Sequence, residues 1–396
     1  MAEAMTVPQR VRGLFRLTAL AGLALLSACQ TIVPRGPAPA PEQKAPPPVS
    51  STEVQPGLPR DTARNRVALL VPLSGANAGV GKSLANATQL ALLDSRNDKV
   101  RITSYDTATG AGPAAQRAIA EGAQLILGPL LAEDVRAVTP VARAAHVPVL
   151  SFSNDVSVAG DGVYLMGYTP GQSIERVVSY ARSKGVTNFG GLISNSLYGS
   201  RASTTFLRAV ESSGGKVVSL QTYDRAAGAM AAAVARMAKD APFDGVLIAD
   251  SGAAAAAGAP LVRKSSPQVR ILGTELWNSD SGIAARGALD GAWYASVSNG
   301  LYRQYAAKYR ARFGAAPYRL SSLGYDAVLL TVRISHDWKI GAPFPEARLR
   351  SGEGYAGIDG AFRFGRDGVA ERALEVQEVK AGGTTIVSPA PASFAR

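Results

Sequence analysis

Short runs of Val, Ile, Leu and Ala recur along residues 66–274, each followed by a stretch long enough for a helix. "RVALLVP" (66–72), "VRITSYD" (100–106), "AQLILGP" (123–129) and "VPVLSFS" (147–153) form one series. After "GVYLMGYTP" a second begins, with "NFGGLIS", "GKVVSLQTY", "FDGVLIAD" and "VRILGT" as its apolar runs. Unbroken apolar runs, rather than alternating ones, are what a strand needs when helices cover both faces of its sheet. A helix between consecutive strands makes them parallel. The two series therefore predict an α/β fold of two doubly wound, Rossmann-like lobes. Apolar residues make up 46% and charged residues 18% of the chain, as a globular core of this size requires.

The first strand-to-helix turn reads "SGANAGVGKS", Ser74 to Ser83, in the order of a phosphate-binding loop. Such a loop needs a glycine, four residues, then Gly-Lys-Ser/Thr, so that its N–H groups curl around a phosphate. Counting back from Gly81, the first glycine should stand at 76, where the chain has Ala76. The stretch is read as an ordinary glycine- and serine-rich turn from strand to helix rather than a nucleotide site.

Ahead of the globular part, Arg10, Arg12 and Arg16 precede a short apolar core, Leu17 to Leu26, and then "LSAC" ending at Cys29. The core is too short to span a bilayer as a mature helix. The pattern resembles the signal peptide (1–28) and lipobox of bacterial lipoproteins, which implies lipidation of Cys29, export and anchoring to a membrane through the N-terminal lipid. Gln30 follows in place of an aspartate, and the resemblance then implies the outer rather than the inner membrane. Cys29 is the one cysteine, so no internal disulfide can form. Residues 29–64 are dense in proline and read as an extended tether. Residues 383–396 read as a disordered tail. The net charge of +12 keeps about +10 after removal of the signal segment. In an exported protein that charge meets lipid head groups, cell-wall polymers and acidic proteins, not nucleic acid.

Three longer blocks resemble type I periplasmic binding proteins of the leucine/isoleucine/valine-receptor class. They are "VALLVPLSGANAGVGKSLANATQLAL", "GAQLILGPLLAEDVRAVTPVARAAHVPVLSFSND" and "GIDGAFRFGRDGVAERALEVQEVKAG". The resemblance implies two lobes joined by three crossovers, with 65–166 plus 293–340 as the first lobe and 167–292 plus 341–382 as the second. It also implies a ligand cleft between them, lined by Ser74, Gly75, Ser151, Ser153, Asn154, Tyr198, Asp250 and Glu275. In amino-acid receptors of the class, hydroxyls and N–H groups of the first lobe hold a carboxylate, and an acid with an aromatic residue holds the ammonium. The hydroxyl-rich loop should fall near 130–133, where this chain has Leu130, Leu131, Ala132 and Glu133. Two leucines and an acid cannot donate to a carboxylate.

The lipobox, Gln30, the long tether and that altered loop are also similar to the penicillin-binding protein activators, outer-membrane lipoproteins of this fold that stimulate a peptidoglycan synthase. Two readings stand: a regulator docking on such a synthase, or the receptor of an ABC permease for a small amino-acid-like ligand. Catalysis is not expected. His146 and His336 lie far apart without metal-ligand spacing, and there is no nucleophile elbow. Neither a cofactor nor a metal is expected. The basic stretch 301–319 carries Tyr302, Tyr305, Tyr309 and Phe313 at helical spacing. It reads as a helix with its aromatics inward and a solvated basic side.

Overall fold

The computed structural model describes residues 61, 63–240, 242–280, 282–391 and 394. The expected signal peptide, Cys29 and nearly all of the tether lie outside the described residues. The first lobe opens with β1 (Asn65–Val71), α1 (Ala78–Ser95), β2 (Val100–Asp106), α2 (Ala111–Ala120), β3 (Ile126–Leu127), α3 (Ala132–Ala144), β4 (Val149–Ser151) and β5 (Val163–Leu165). Its five strands run parallel in the order β2-β1-β3-β4-β5. Every residue of β1 is buried. Val67, Leu69 and Val71 face one apolar cluster and Ala68 and Leu70 the other, so helices cover both sides, as the unbroken apolar run requires.

The second lobe follows with α4 (Pro170–Ser183), β6 (Asn188–Ser194), α5 (Leu197–Ser212), β7 (Lys216–Tyr223), α6 (Ala229–Met237), β8 (Gly245–Ala249), α7 (Gly252–Ser265), β9 (Arg270–Gly273) and β10 (Trp293–Ser296). The chain then returns to the first lobe. There α8 (Gly300–Phe313) and α9 (Ser321–Ser335) pack against α1. An antiparallel sheet of β11 (Tyr355–Gly357), β12 (Gly360–Phe364) and β13 (Ala370–Arg372) adds Tyr355, Phe362 and Phe364 to the same core. Last, β14 (Glu375–Lys380) and β15 (Gly383–Ser388) go back to the second lobe, whose sheet order is β15-β14-β10-β9-β8-β6-β7.

The architecture is the expected one, with three crossovers, but the boundaries differ from the expected ones. Trp293–Ser296 belongs to the second lobe, not the first, because β10 pairs with β9 and β14 and the crossover comes after it. Residues 355–372 belong to the first lobe, not the second, because their aromatic side chains complete its core. The expected disordered tail is wrong for 383–388, which forms β15 in antiparallel register with β14. "GTTIVS" is mostly β-branched, and the hairpin supplies its ladder.

The glycine-rich turn after β1 is explained by packing. A Cβ on Gly81 would lie 1.8 Å from the carbonyl oxygen of Pro72, so Gly81 lets α1 press directly onto the end of β1. Ser83 is buried and its hydroxyl accepts the Tyr318 N–H at 3.0 Å, while Lys82 is exposed. In α8, Tyr305 and Tyr309 are buried against the core and Tyr302 and Phe313 flank them, as the helical spacing predicts.

Candidate functional site

The crossovers run through Gly167–Thr169, Val297–Asn299 and Ala373–Leu374, and each gives at least one residue to the lining of a single cavity. It is small, and is also lined by Tyr168, Arg319 and Arg372 of the first lobe and by Gln172, Ser173 and Glu275 of the second. Its volume is about 20 Å³, room for roughly one water.

The expected cleft residues divide into groups. Ser74 and Gly75 are exposed in the first turn. The Ser74 hydroxyl donates to Asp106 Oδ2 at 2.6 Å, and Gly75 takes a positive φ of 71° that suits glycine. On β4 the Ser151 hydroxyl donates to the Pro129 carbonyl at 2.9 Å and accepts the Ser153 N–H at 3.0 Å. The Ser153 hydroxyl in turn accepts the Asp155 N–H at 3.1 Å. Both serines are buried and spend their hydroxyls on the backbone; Asn154 is exposed.

On the second lobe, β6 delivers the first turn of α5 and β9 delivers the segment after Gly273, so Tyr198 and Glu275 meet. The Tyr198 hydroxyl lies 2.8 Å from Thr274 Oγ1 and 3.0 Å from Glu275 Oε1. The Ser173 hydroxyl donates to the other oxygen of Glu275. Burial pushes the Glu275 carboxyl above the ordinary carboxylate range, against the pull of Ser173 and Tyr198. Burial also raises the Tyr198 phenol, helped by the Glu275 charge. Asp250 is turned elsewhere. It accepts the Tyr223 hydroxyl at 2.7 Å and the Ser251 N–H at 2.6 Å, and it does not line the cavity. Of the expected residues, Glu275 alone reaches the hinge cavity.

Sequence reasoning missed the rest of the site. Arg319 stands at the end of the basic stretch 301–319, and Arg372 lies in the last quoted block, where nothing local distinguishes it from a surface arginine. Their side chains meet only because β13 and the segment before α9 both return to the crossovers. It also missed Asp155, which is 2% exposed and pairs with Arg136 at 3.0 Å and with Arg201 of the second lobe at 2.6 Å. Burial alone would raise this carboxyl. The Ser157 hydroxyl and the Arg201 guanidinium overcome that and hold it at about 2. The ion pair bridges the two lobes across the cleft.

Where the receptor class places carboxylate donors, Leu130 packs on the first-lobe core and Leu131 caps α3 without a side-chain bond. Glu133 and Asp134 occupy the first turn of α3 and compensate the positive end of its dipole themselves. Among the described residues no three or more His, Cys, Asp or Glu side chains gather as a metal site, and no helix is long and apolar enough to cross a membrane.

The family model described as "Periplasmic binding protein" matches residues 65–384. Among curated proteins the chain is 28% identical over 116 residues to an uncharacterized protein of Rickettsia prowazekii (strain Madrid E), covering 29% of this chain and 31% of that one. The chain thus aligns with about a third of that curated relative. Among solved structures it resembles the leucine-binding protein LivK of Thermotoga maritima, with a TM-score of 0.62, 19% identity, and coverage of 83% of this chain and 99% of the other. A putative branched-chain amino acid ABC transporter protein of Rhodospirillum rubrum aligns with a TM-score of 0.73 at 19% identity, over 82% and 100% of the two chains. Full-length LpoA of Haemophilus influenzae aligns with a TM-score of 0.64 at 18% identity, over 83% of this chain and 60% of that one. With the family model spanning both lobes, the chain belongs to the periplasmic binding protein family and shares the type I, two-lobed fold of these structures.

Proposed function

We propose that this chain is a periplasm-facing lipoprotein, anchored through Cys29 to the outer membrane, whose two-lobed body docks on a peptidoglycan synthase of the penicillin-binding class and regulates it without catalysing a reaction. The family implies a periplasm-facing location; the lipid, the membrane and the partner are the proposal. One observation carries the choice: the first-lobe hydroxyls expected to hold an amino-acid carboxylate are replaced or already bonded to the backbone. Leu130 and Leu131 replace hydroxyls, Ser151 and Ser153 are spent on the backbone, and α3 carries its own acids. The Arg201–Asp155 pair joins the lobes with the protein's own charges. The likeness to LpoA fits this reading.

The Tyr198–Glu275 pair favours a second reading, an ABC-transporter receptor, since an acid beside an aromatic residue suits an ammonium. Two measurements on the full chain separate the readings. Pull-down with a purified penicillin-binding synthase is expected to capture it, with the synthase's transglycosylase or transpeptidase rate changing. Thermal unfolding against a panel of amino acids is expected to show no shift. A tight amino acid at a hundredfold excess over its Kd would add about 2.7 kcal/mol. Such a gain, with no synthase captured, would establish the receptor reading in place of the docking one.

A further inference from the structure

The two sides of the first-lobe sheet differ in charge. On one side α2 and α3 expose Arg117, Arg136 and Arg143 and carry Glu121, Glu133 and Asp134 beside them. Arg136 is paired with Asp155 at 3.0 Å, and Arg143 with Asp161. On the other side lie α1 and α8, whose inner faces share one apolar cluster. No acid interrupts the chain between Asp290 and Asp326. There α8 exposes Arg303, Lys308, Arg310 and Arg312, while α1 exposes Lys82 and ends on Arg96 at its C-cap. The one acid on these two helices, Asp94, takes Lys308 at 3.1 Å and the Tyr325 hydroxyl at 2.7 Å. Lys82, Arg96, Arg310 and Arg312 form no ion pair among the described residues.

A face of like charges without counter-charges is a partner site for anions. Its large exposed apolar side chains are Leu93 and Leu301, 50% and 52% exposed. A protein interface needs a packed, water-free apolar centre, which two separate leucines do not make. A lipid surface needs none. Its phosphates answer each cation separately, at about fivefold in affinity per Lys or Arg, and a leucine among them enters the head-group layer. The course of the chain favours this occupant. It enters the first lobe through Ala63 and Arg64, beside the end of α1: Asn65 donates to the Trp338 carbonyl at 3.2 Å, and Asn97, just past α1, donates to the Ser335 hydroxyl at 3.1 Å. Residues 29–60 span at most roughly 110 Å fully extended, so a body anchored at Cys29 stays within that distance of the bilayer.

We propose that the α1–α8 side of the first lobe docks on an anionic phospholipid surface, with Lys82, Arg96, Lys308, Arg310 and Arg312 meeting head-group phosphates. Docking there leaves the second lobe and the α2–α3 side of the first lobe open to a protein partner. This surface rests on the membrane location proposed above and not on the synthase. Vesicle binding without capture of a synthase would defeat only the synthase reading, and capture without vesicle binding only this one.

The test is co-sedimentation with vesicles of the chain from residue 29, which keeps every described residue, carrying Cys29→Ser so that no acyl chain contributes. Vesicles of phosphatidylcholine are compared with vesicles of phosphatidylcholine and phosphatidylglycerol in equal parts, at about 0.1 M salt, where charges act over about 10 Å. Binding to the mixed vesicles is expected to be at least about tenfold tighter and to fall as sodium chloride is raised. Lys82→Gln, Arg310→Gln and Arg312→Gln together are expected to weaken it at least about tenfold. Arg225→Gln, Lys239→Gln and Lys264→Gln remove the same charge from the second lobe and should change it by less than about twofold. All six side chains are exposed. Equal affinity for the two kinds of vesicle would overturn the assignment, and so would equal losses from the two triple variants, which net charge alone explains. Synthase capture abolished by the first triple, with no preference between vesicles, would give the face to the partner protein instead. Should the first triple fail to fold by circular dichroism, an environment-sensitive fluorophore on Gln89→Cys, exposed on α1, decides. A blue shift on the mixed vesicles supports the contact, and an unchanged spectrum refutes it.

Discussion

At the scale of single residues, what matters here is which partner each polar group has already found. Ser151, Ser153 and Asp155 form a chain of side-chain-to-backbone bonds after β4, and Asp155 ends it by taking two arginines. Arg201 is the partner that crosses the cleft, and its side chain is 25% exposed, so solvent screens the pair in part. Arg201→Gln is therefore expected to cost about 1 kcal/mol in urea unfolding. The larger readout is geometric: spin labels placed on the two lobes should report a broader and longer distance distribution. An unchanged distribution would show that the pair does not hold the cleft. None of this was legible in the sequence. Serines after a strand read equally well as ligand donors and as turn formers, and only the fold shows that their hydroxyls face Pro129 and Asp155.

At the scale of elements, periodicity spoke clearly. The three- and four-residue spacing of aromatics in α8 forecast which side would be buried. Tyr305 and Tyr309 are each 3% exposed, whereas Arg310 is exposed. Tyr309→Ala should cost about 3–4 kcal/mol, from lost burial and from the Asn86 amide that now donates to its hydroxyl at 3.1 Å. Arg310→Ala should stay within about 0.5 kcal/mol. Denaturant midpoints of the two variants test the orientation of the whole helix, and similar losses would contradict it. In the turn from Ser74 to Ser83 the close approach of Gly81 to the Pro72 carbonyl accounts for that glycine by packing. Element boundaries near the crossovers were not legible. Whether Trp293–Ser296 ends one lobe or starts the other depends on which strand it pairs with, and strand pairing is not a local property.

At the scale of the molecule, α9 and the small sheet meet through a buried acid. Asp326 is 0% exposed; it accepts the Ile358 N–H at 2.7 Å and sits against Gly357, where a Cβ would lie 2.3 Å from its carboxylate. Burial raises its carboxyl to about 7 from 3.8. Repulsion by Asp359 adds to this, and Arg372 and the two N–H groups oppose it. Between those values the folded chain holds a proton that the unfolded chain has lost. This contribution to stability is complete below about pH 4 and fades as the pH rises through about 7. Asp326→Asn should flatten that dependence. Between pH 5 and 8 the wild type is expected to lose at least about 1 kcal/mol more than the variant in urea unfolding. Parallel pH profiles would place the proton elsewhere.

What the sequence determined by itself is the kind of fold: two parallel α/β lobes follow from apolar runs too continuous for any strand with one wet face. It also carried the altered loop at Leu130 and Leu131, because residue chemistry there needs no neighbours to be read. The tertiary structure alone decided the hinge. Arg319 and Arg372 are separated by 53 positions and Tyr198 and Glu275 by 77. Packing within one lobe brings each pair together, β13 beside the segment before α9 in the first and the ends of β6 and β9 in the second, and no local pattern records that.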